Sequence, residues 1–381
     1  MSQSGEQMNT RTIHNACRRA GAWALVAVAT VAASPTRAAE QVAGSIMFTR
    51  TELKPDTTPA NRSLWLYDVD SGATRALTPA MKNALDGGGS WSPDGKRIAF
   101  ERASMHVGHS ATYRVHIFDT ASGHVHVLAS GDGSFRAPAW GPGERIAVAA
   151  TYRNRNCVTI VDAVRRSTRD LYCPPAPAQI QRVAWSADRR SLLVEAGYYA
   201  GRLEPTWRAL AYRVDVATGA PTVLDDRIMD WPLRLEFSPD GRRGIYADIV
   251  PWDLLQVNFS TGESRIVGWG YAPRWSHNGR RIAYTGETYE IEPEFRYYNP
   301  LYVVNADGSG ARRVTASRTP DHAYMAADWS KDNVHVVATR RTWADVSLTI
   351  PRDALRIVNV DNRVVMSLPP GSADAGAWFE P

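Results

Sequence analysis

Ser90 to Phe100 reads SWSPDGKRIAF, and the same phrase returns, loosely spelled, along the whole chain. AWGPGERIAV begins at Ala139, AWSADRRSLLV at Ala184, EFSPDGRRGIY at Glu236, RWSHNGRRIAY at Arg274 and DWSKDNVHVVA at Asp328; a shortened AWFEP ends the chain at Pro381. Aligned on the aromatic residue these copies place Trp91, Trp140, Trp185, Phe237, Trp275, Trp329 and Trp378 at intervals of 49, 45, 52, 38, 54 and 49 residues. A period of this length is too long for most helical repeats. It suits a unit of four short strands.

Each copy can be read from its residues. The aromatic closes a first strand, and Ser-Pro-Asp-Gly makes a tight turn in which proline presets one backbone angle and glycine takes the positive one. A second, apolar strand follows, as in Arg97 to Phe100 and Arg281 to Tyr284. After a variable connection comes a third strand, such as LWLYDV from Leu64, YRVHIFD from Tyr113, LYVVN from Leu301 or LRIVNV from Leu355. An Asp/Asn-x-x-Thr/Ser-Gly turn (Asp68 to Gly72, Asp119 to Gly123, Asp215 to Gly219, Asn258 to Gly262) then reverses the chain into a fourth. Helical periodicity is almost absent, so the expected class is all-β. Before Trp91 there are three strands with no aromatic-turn strand, beginning at Ser45, Leu64 and Thr74, and after the last full unit there is one lone strand at Trp378. Placing that last strand beside the first three closes a seven-bladed β-propeller without an unpaired edge. Six blades plus an irregular unit is the alternative.

The recurrent W-S-P-D-G-[KR]-R-I-A-[FY] unit with its D-x-x-[TS]-G hairpin resembles the WD40-like (PD40) propeller repeat of the TolB family. The same repeat is found in propellers of dipeptidyl peptidase IV and prolyl oligopeptidase type and in oligogalacturonate lyase. The resemblance covers residues 45–381 and implies the fold; the motif residues themselves build turns and blade cores. The chain departs from those relatives in two ways. The first blade begins where full TolB proteins carry an α/β domain, and no Gly-x-Ser-x-Gly elbow of an α/β-hydrolase is present. Peptidase activity is therefore not expected.

The chain has 381 residues, with 44 Lys and Arg against 39 Asp and Glu. Four of the basic residues and one acidic residue precede residue 39, so residues 39–381 hold 40 against 38, nearly neutral. Residues 1–38 read as a cleaved signal peptide: a basic stretch ending at Arg18-Arg19, the apolar run Ala20 to Ala33, then SPTRAAE. That run is too short for a permanent membrane span, and a twin-arginine export route is compatible with Arg18-Arg19. We expect a single propeller domain over 39–381, located in the periplasm or secreted. Near-neutral charge and export disfavour nucleic acid, and no phosphate-cradling glycine loop is present. No cofactor is expected.

With Cys17 in the leader, Cys157 and Cys173 remain as an even pair in an oxidising compartment. Asp162 to Leu171 aligns without a gap on Asp68 to Leu77, which puts a hairpin turn near Arg165 and eight residues between that point and each cysteine. The two should face each other on neighbouring strands and form a disulfide.

Function should lie in the long connections: Thr51 to Ser63, Arg102 to Thr112, Ala196 to Arg208, Thr285 to Asn299 and Arg340 to Asp353. These and the shorter connectors carry Tyr198, Tyr199, Trp207, Trp252, Tyr289, Arg296, Tyr297, His322, Arg340 and Trp343 as candidate binding residues. Aromatic and arginine side chains of this kind suit an envelope protein or peptide, with saccharide as a second class. Four carboxylates, Glu287, Glu290, Glu292 and Glu294, fit no calcium-loop spacing and read as a solvated acidic loop. His106 and His109 are weak metal candidates with His322. Oligogalacturonate lyases use a histidine-held metal inside a propeller of this type, so the resemblance implies a metal-assisted saccharide lyase or hydrolase as the alternative to a binding or scaffold module without assigned catalytic residues.

Overall fold

In the computed structural model the described residues are 44–53, 59–105, 111–128, 133–152, 155–200, 206–229, 232–248, 252–290, 296–315, 322–343, 351–363, 365–368 and 373–379. The leader lies outside them. At several strand ends only the backbone is described, including at Tyr289, Arg296, Tyr297, His322 and Trp343. Among the described residues every regular element is a strand.

The strands pair in antiparallel groups of four, one per repeat. The Trp91 repeat runs Ala84–Trp91, Arg97–Ser104, Thr112–Asp119 and Val125–Val127, each paired with the next. The Trp140 repeat runs Ser134–Trp140, Arg145–Thr151, Asn156–Asp162 and Thr168–Tyr172. The Trp185, Phe237, Trp275 and Trp329 repeats follow the same order. The final strand, Ala373–Phe379, pairs antiparallel with Ser45–Leu53, opposing Trp378 to Ile46; Ser45–Leu53 pairs in turn with Pro59–Asp68, and that strand with Thr74–Ala76. The Trp378 strand therefore joins the three N-terminal strands, the pairing expected from the strand count.

The motif turn is built by its own side chains. Ser92 Oγ donates to Asp94 at 2.6 Å and accepts from the Arg97 amide at 2.9 Å, while Gly95 adopts φ 68°. Ser238, Asp240 and Gly241 repeat this arrangement. At the third-to-fourth reversal Asp119 accepts from the Ser122 amide and hydroxyl at 2.7 and 2.8 Å, and Gly123 sits at φ 73°. These hydrogen bonds hold the Asp119 carboxyl below the usual range.

Each apolar cluster is shared between consecutive repeats. Ala99, Val115 and Ile117 pack with Phe135, Ile146 and Val148, so no repeat buries its faces alone. The signature tryptophans tie the seams: Nε1 of Trp185 donates to the Ala139 carbonyl at 3.0 Å, and Nε1 of Trp329 to the Arg274 carbonyl at 3.1 Å. The first residue of the second strand completes the seam by lying over the next aromatic, with Arg97 5.1 Å from Trp140, Arg145 5.6 Å from Trp185 and Arg243 4.8 Å from Trp275. A β-bulge precedes the motif aromatic in the first strands of the Trp91, Trp140, Trp275 and Trp329 repeats, between Gly87 and Ser90, Arg136 and Ala139, Tyr271 and Arg274, and Ala326 and Asp328.

Unequal intervals in the sequence now have causes. The shortest, 38 residues, arises because the fourth strand of the Phe237 repeat runs straight into the first strand of the next as Ser264–Trp275. Gly270 permits this: a Cβ there would lie 1.9 Å from the Thr285 carbonyl oxygen. The longest, 54 residues, holds an added hairpin, Thr288–Glu290 with Arg296–Tyr298.

Candidate functional site

The expected long loops are largely strand. Ser191–Ala200 and Thr206–Asp215 continue as one ladder well past the core, pairing Tyr198 with Arg208 and Tyr199 with Trp207. Only 201–205 lie between them, so the loop expected over Ala196 to Arg208 is corrected to an elongated hairpin. In the same way strand continues to Leu53 and resumes at Pro59, continues to Ser104 and resumes at Thr112, and continues to Trp343 and resumes at Pro351.

On the Trp185 hairpin the aromatic residues have different environments. Tyr199 is 63% exposed and meets the Trp207 ring edge-to-face at 4.9 Å. Trp207 is half-buried over Gly197, where a Cβ would come within 2.4 Å of the indole. Tyr198 is half-buried against the core, near Tyr172 and Tyr212, whose rings are 5.2 Å apart. Burial, followed by Tyr172, pushes the Tyr212 hydroxyl up to about 12. Arg208 is gripped by Asp226 through two bonds of 2.6 Å. Tyr199 is therefore the aromatic of this group that faces solvent.

A second aromatic group sits at the strand that joins two repeats. Trp252 is half-buried, adopts φ 72°, accepts from the Gly270 amide at 2.6 Å and lies 5.5 Å from Tyr271. Burial, with Glu287 adding to it, pushes the Tyr271 hydroxyl up to about 12, and burial raises the Glu287 carboxyl. Trp269 is exposed on the same strand. Tyr289 and Tyr297 oppose each other in the added hairpin, one place from Arg296 opposite Glu290. Arg340 pairs with Tyr324 and Ala354, and Trp343 ends its strand opposite Pro351. His322 opens the strand His322–Trp329. His106 and His109 lie outside the described residues.

Cys157 and Cys173 form the expected disulfide. The register opposes Val158 to Tyr172, which brings the cysteines together one place further on. Among the described residues, the metal-type grouping is Cys157, Cys173 and Asp170. Both sulfurs are committed to the bridge, and Asp170 accepts from Thr159 at 2.7 Å, Arg155 at 3.0 Å and Tyr152 at 3.1 Å.

The sequence reading overlooked a polar cleft between first strands. A space of about 520 Å³ is lined by Gly88 to Ser90, Arg136 to Trp140, Ile180 to Trp185 and Glu101. Glu101 accepts from the Ala137 amide at 3.0 Å, and Arg136 lies exposed over the Tyr113 ring at 4.2 Å. Beyond it runs a line of alternating charge: Arg182 bonds to Glu236, Arg274 approaches Glu236 at 3.5 Å and donates to the Ala327 carbonyl at 2.9 Å. Asp328 then accepts from the Trp329 and Trp378 amides, both at 2.9 Å. Burial raises the Asp328 carboxyl, while His277, those two amides and Arg274 oppose the rise. These charges neutralise one another across seams. A sequence signal was present: Glu236, Arg274 and Asp328 each stand immediately before the motif aromatic.

No protein-family model matches the chain, and no curated protein sequence does. Solved structures are similar to it. An oligogalacturonate lyase from Vibrio parahaemolyticus gives a TM-score of 0.57 at 14% identity, over 86% of this chain and 87% of its own. A puromycin-hydrolysing peptidase from Mycobacterium tuberculosis gives 0.58 at 12% identity, over 86% and 52%. TolB from Acinetobacter baumannii gives 0.49 at 16% identity, over 88% and 66%. The chain thus spans just under two thirds of that TolB and about half of the peptidase. At such identities likeness speaks for fold alone, and that to the lyase and the peptidase, with the repeated four-stranded sheets, makes this chain a β-propeller.

Proposed function

We propose that the chain is an exported, seven-bladed, TolB-like propeller that binds an envelope protein or peptide through its elongated hairpins. Seven motif aromatics, each heading four strands, and the pairing of Ala373–Phe379 with Ser45–Leu53 support a ring closed by the C-terminal strand. The disulfide suits an oxidising compartment. Among the described residues no helix is long and apolar enough to cross a membrane.

The observation that carries the reading is Tyr199, an aromatic 63% exposed, held edge-on by a half-buried Trp207 at the far end of an extended ladder. A rigid aromatic with an apolar body and a polar tip loses little entropy when covered, which is what a binding anchor requires. The metal-assisted saccharide reading depends on His106, His109 and His322, whose side chains lie outside the described residues.

A photo-crosslinking residue at position 199, compared with one at Val164, tests the proposal. Val164 is 69% exposed in a tight reversal of the Trp140 repeat. In envelope extract, position 199 should yield a discrete adduct and position 164 none. Equal labelling from both, or none from 199, would overturn the assignment.

A further inference from the structure

Two neighbouring seams of this molecule carry the same pair of arginines, and in only one of them does a carboxylate of the next repeat make direct ion pairs with both. In the Trp275 repeat, Arg281 opens the second strand and Arg312 lies on the fourth. Both point to Asp361 of the next repeat, at 2.8 and 3.1 Å, and Arg312 also donates to the Val360 carbonyl. In the Phe237 repeat the corresponding residues are Arg243 and Arg265. Arg265 donates to the Ala306 carbonyl at 2.9 Å, as Arg312 does to that of Val360. The correspondence is exact in the backbone: the Ala306 amide donates to Arg280 and the Val360 amide to Val334, each at the residue before a second strand.

The difference lies in the following turn. Asp307 stands where Asp361 stands, one place after the residue whose carbonyl is bound. In that turn Gly308 donates to Asn305, closing it one residue sooner than the Arg363-to-Asn359 bond closes its counterpart. Asp307 is drawn back onto its own turn, accepting from the Ser309 amide at 2.9 Å and hydroxyl at 2.6 Å. Arg243 and Arg265 instead face a cleft of about 570 Å³, lined also by Gln256, Asn258, Glu263 and Ser264. Neither makes a direct ion pair among the described residues; Asp307 and Asp240 stand near enough for Arg265 and Arg243 to help hold those carboxyls below their ordinary range, but each is bound by hydrogen bonds in its own turn.

The two guanidiniums are nevertheless held in place. Buried Gln256 accepts from Arg265 at 2.9 and 3.2 Å and donates to the Ala306 carbonyl at 2.8 Å. Arg243 lies over Trp275 and donates to the Gly279 carbonyl at 3.4 Å. The strand register puts Arg243, Asn258, Gln256 and Arg265 on one face of the sheet, since Arg243 opposes Asn258 and Gln256 opposes Arg265. Of the charged lining residues, Arg243 and Arg265 face Glu263, while nearby Asp240 and Asp307 spend their carboxylates on their own turns. A third seam shows what closes such a cleft: Arg169 donates to the Val216 carbonyl, and the turn that follows packs Gly219 against Leu171, where a Cβ would lie 2.6 Å from the carbonyl oxygen.

We propose that Arg243 and Arg265 form a binding site for an external carboxylate, whose seat Asp361 occupies within the chain one seam away. The ligand class is a single carboxylate group, from a small free acid or from an acidic side chain of a peptide. Fixed guanidiniums suit it because they offer forked donors at little ordering cost.

Side-chain NMR of ¹⁵N-labelled full chain, titrated with sodium glutarate and separately with acetyl-Ser-Glu-Ser amide, tests this against sodium chloride at equal ionic strength. Saturable shifts of the Arg243 and Arg265 Nε–H signals are expected, with those of Arg281 and Arg312 unmoved; the tighter of the two probes identifies the source. Arg243→Gln or Arg265→Gln should weaken binding by roughly tenfold, while Arg312→Gln leaves it unchanged. Asp361→Ala should create a second site and raise the stoichiometry from one to two. The proposal fails if chloride reproduces the shifts, if neither probe saturates, or if Arg243→Gln and Arg265→Gln bind as the unaltered chain does.

Discussion

The seams between repeats and the hairpins that extend beyond them are made of the same residue types, yet use them in opposite ways. At a seam, arginine and tryptophan reach across to the next repeat, as Arg145 does to Trp185 and Trp185 to Ala139. On the Trp185 hairpin the roots still join a seam, since Trp207 packs against the cluster shared with the Phe237 repeat, while the outer groups turn onto their own ladder: Tyr199 on Trp207, Arg208 on Asp226. A seam is obligatory because neither repeat buries its core alone, whereas the exposed end of a hairpin, beyond the side chains that join a seam, is free to differ from its neighbours. Stability should therefore follow the seams, and specificity the hairpins.

The severest test of that contrast is Glu236, which lies between Arg182 and Arg274. Glu236→Ala leaves two largely buried guanidiniums without their nearest counter-charge and should cost about 3–5 kcal/mol in denaturant unfolding. Next comes the disulfide, which acts within one repeat. Replacing Cys157 and Cys173 with serine opens a closure of 16 residues and should cost about 3 kcal/mol; a loss as large as that at Glu236 would mean that repeats are limited by their own integrity and not by their seams. Trp185→Phe removes the bond to the Ala139 carbonyl while keeping most of the ring, for about 1 kcal/mol.

A smaller effect is expected from the reversal turns. Hydrogen bonds from the Ser71 hydroxyl, the Ser122 amide and the Thr218 amide hold the Asp68, Asp119 and Asp215 carboxyls below their ordinary range. A depressed folded value stabilises above the unfolded one, near pH 4, and is lost as pH falls through the folded value. Melting temperature should drop with acid in that window, and Asp119→Asn with Asp215→Asn should flatten the slope. Asp328 works in the other direction, because burial raises its carboxyl and acidification relieves the cost. At the end of the scale, Tyr199→Ala should leave the melting temperature unchanged and abolish capture at that hairpin. A destabilised Tyr199→Ala variant would place this ring among the seam residues and break the comparison.

Much of the architecture could be read from the chain because repetition amplifies weak local signals. A single Ser-Pro-Asp-Gly turn means little; six in register, each followed by an apolar strand, leave few folds to consider. The cysteine pairing was legible because hairpin symmetry about Arg165 sets distance by counting. The hairpin extensions were not, since the mixed small, polar and aromatic residues around Tyr198 and Trp207 look like a loop until a partner strand is known to match them. The charged line through Glu236, Arg274 and Asp328 was visible letter by letter, but its pairing depends on which carbonyls and carboxylates the neighbouring first strands bring within reach.

By itself the sequence determined the strand order, the turns, the joining of the last strand to the first three and the disulfide, all of which follow from local periodicity and spacing. Tertiary structure alone decided which aromatics face solvent and which arginines find a carboxylate. Asp307 and Asp361 are the plainest case: equivalent positions, one turn closed a residue sooner, and the carboxylate that fills one seam is withdrawn from the other. Side-chain reach across a seam depends on backbone geometry of a few ångströms, which no residue identity encodes on its own.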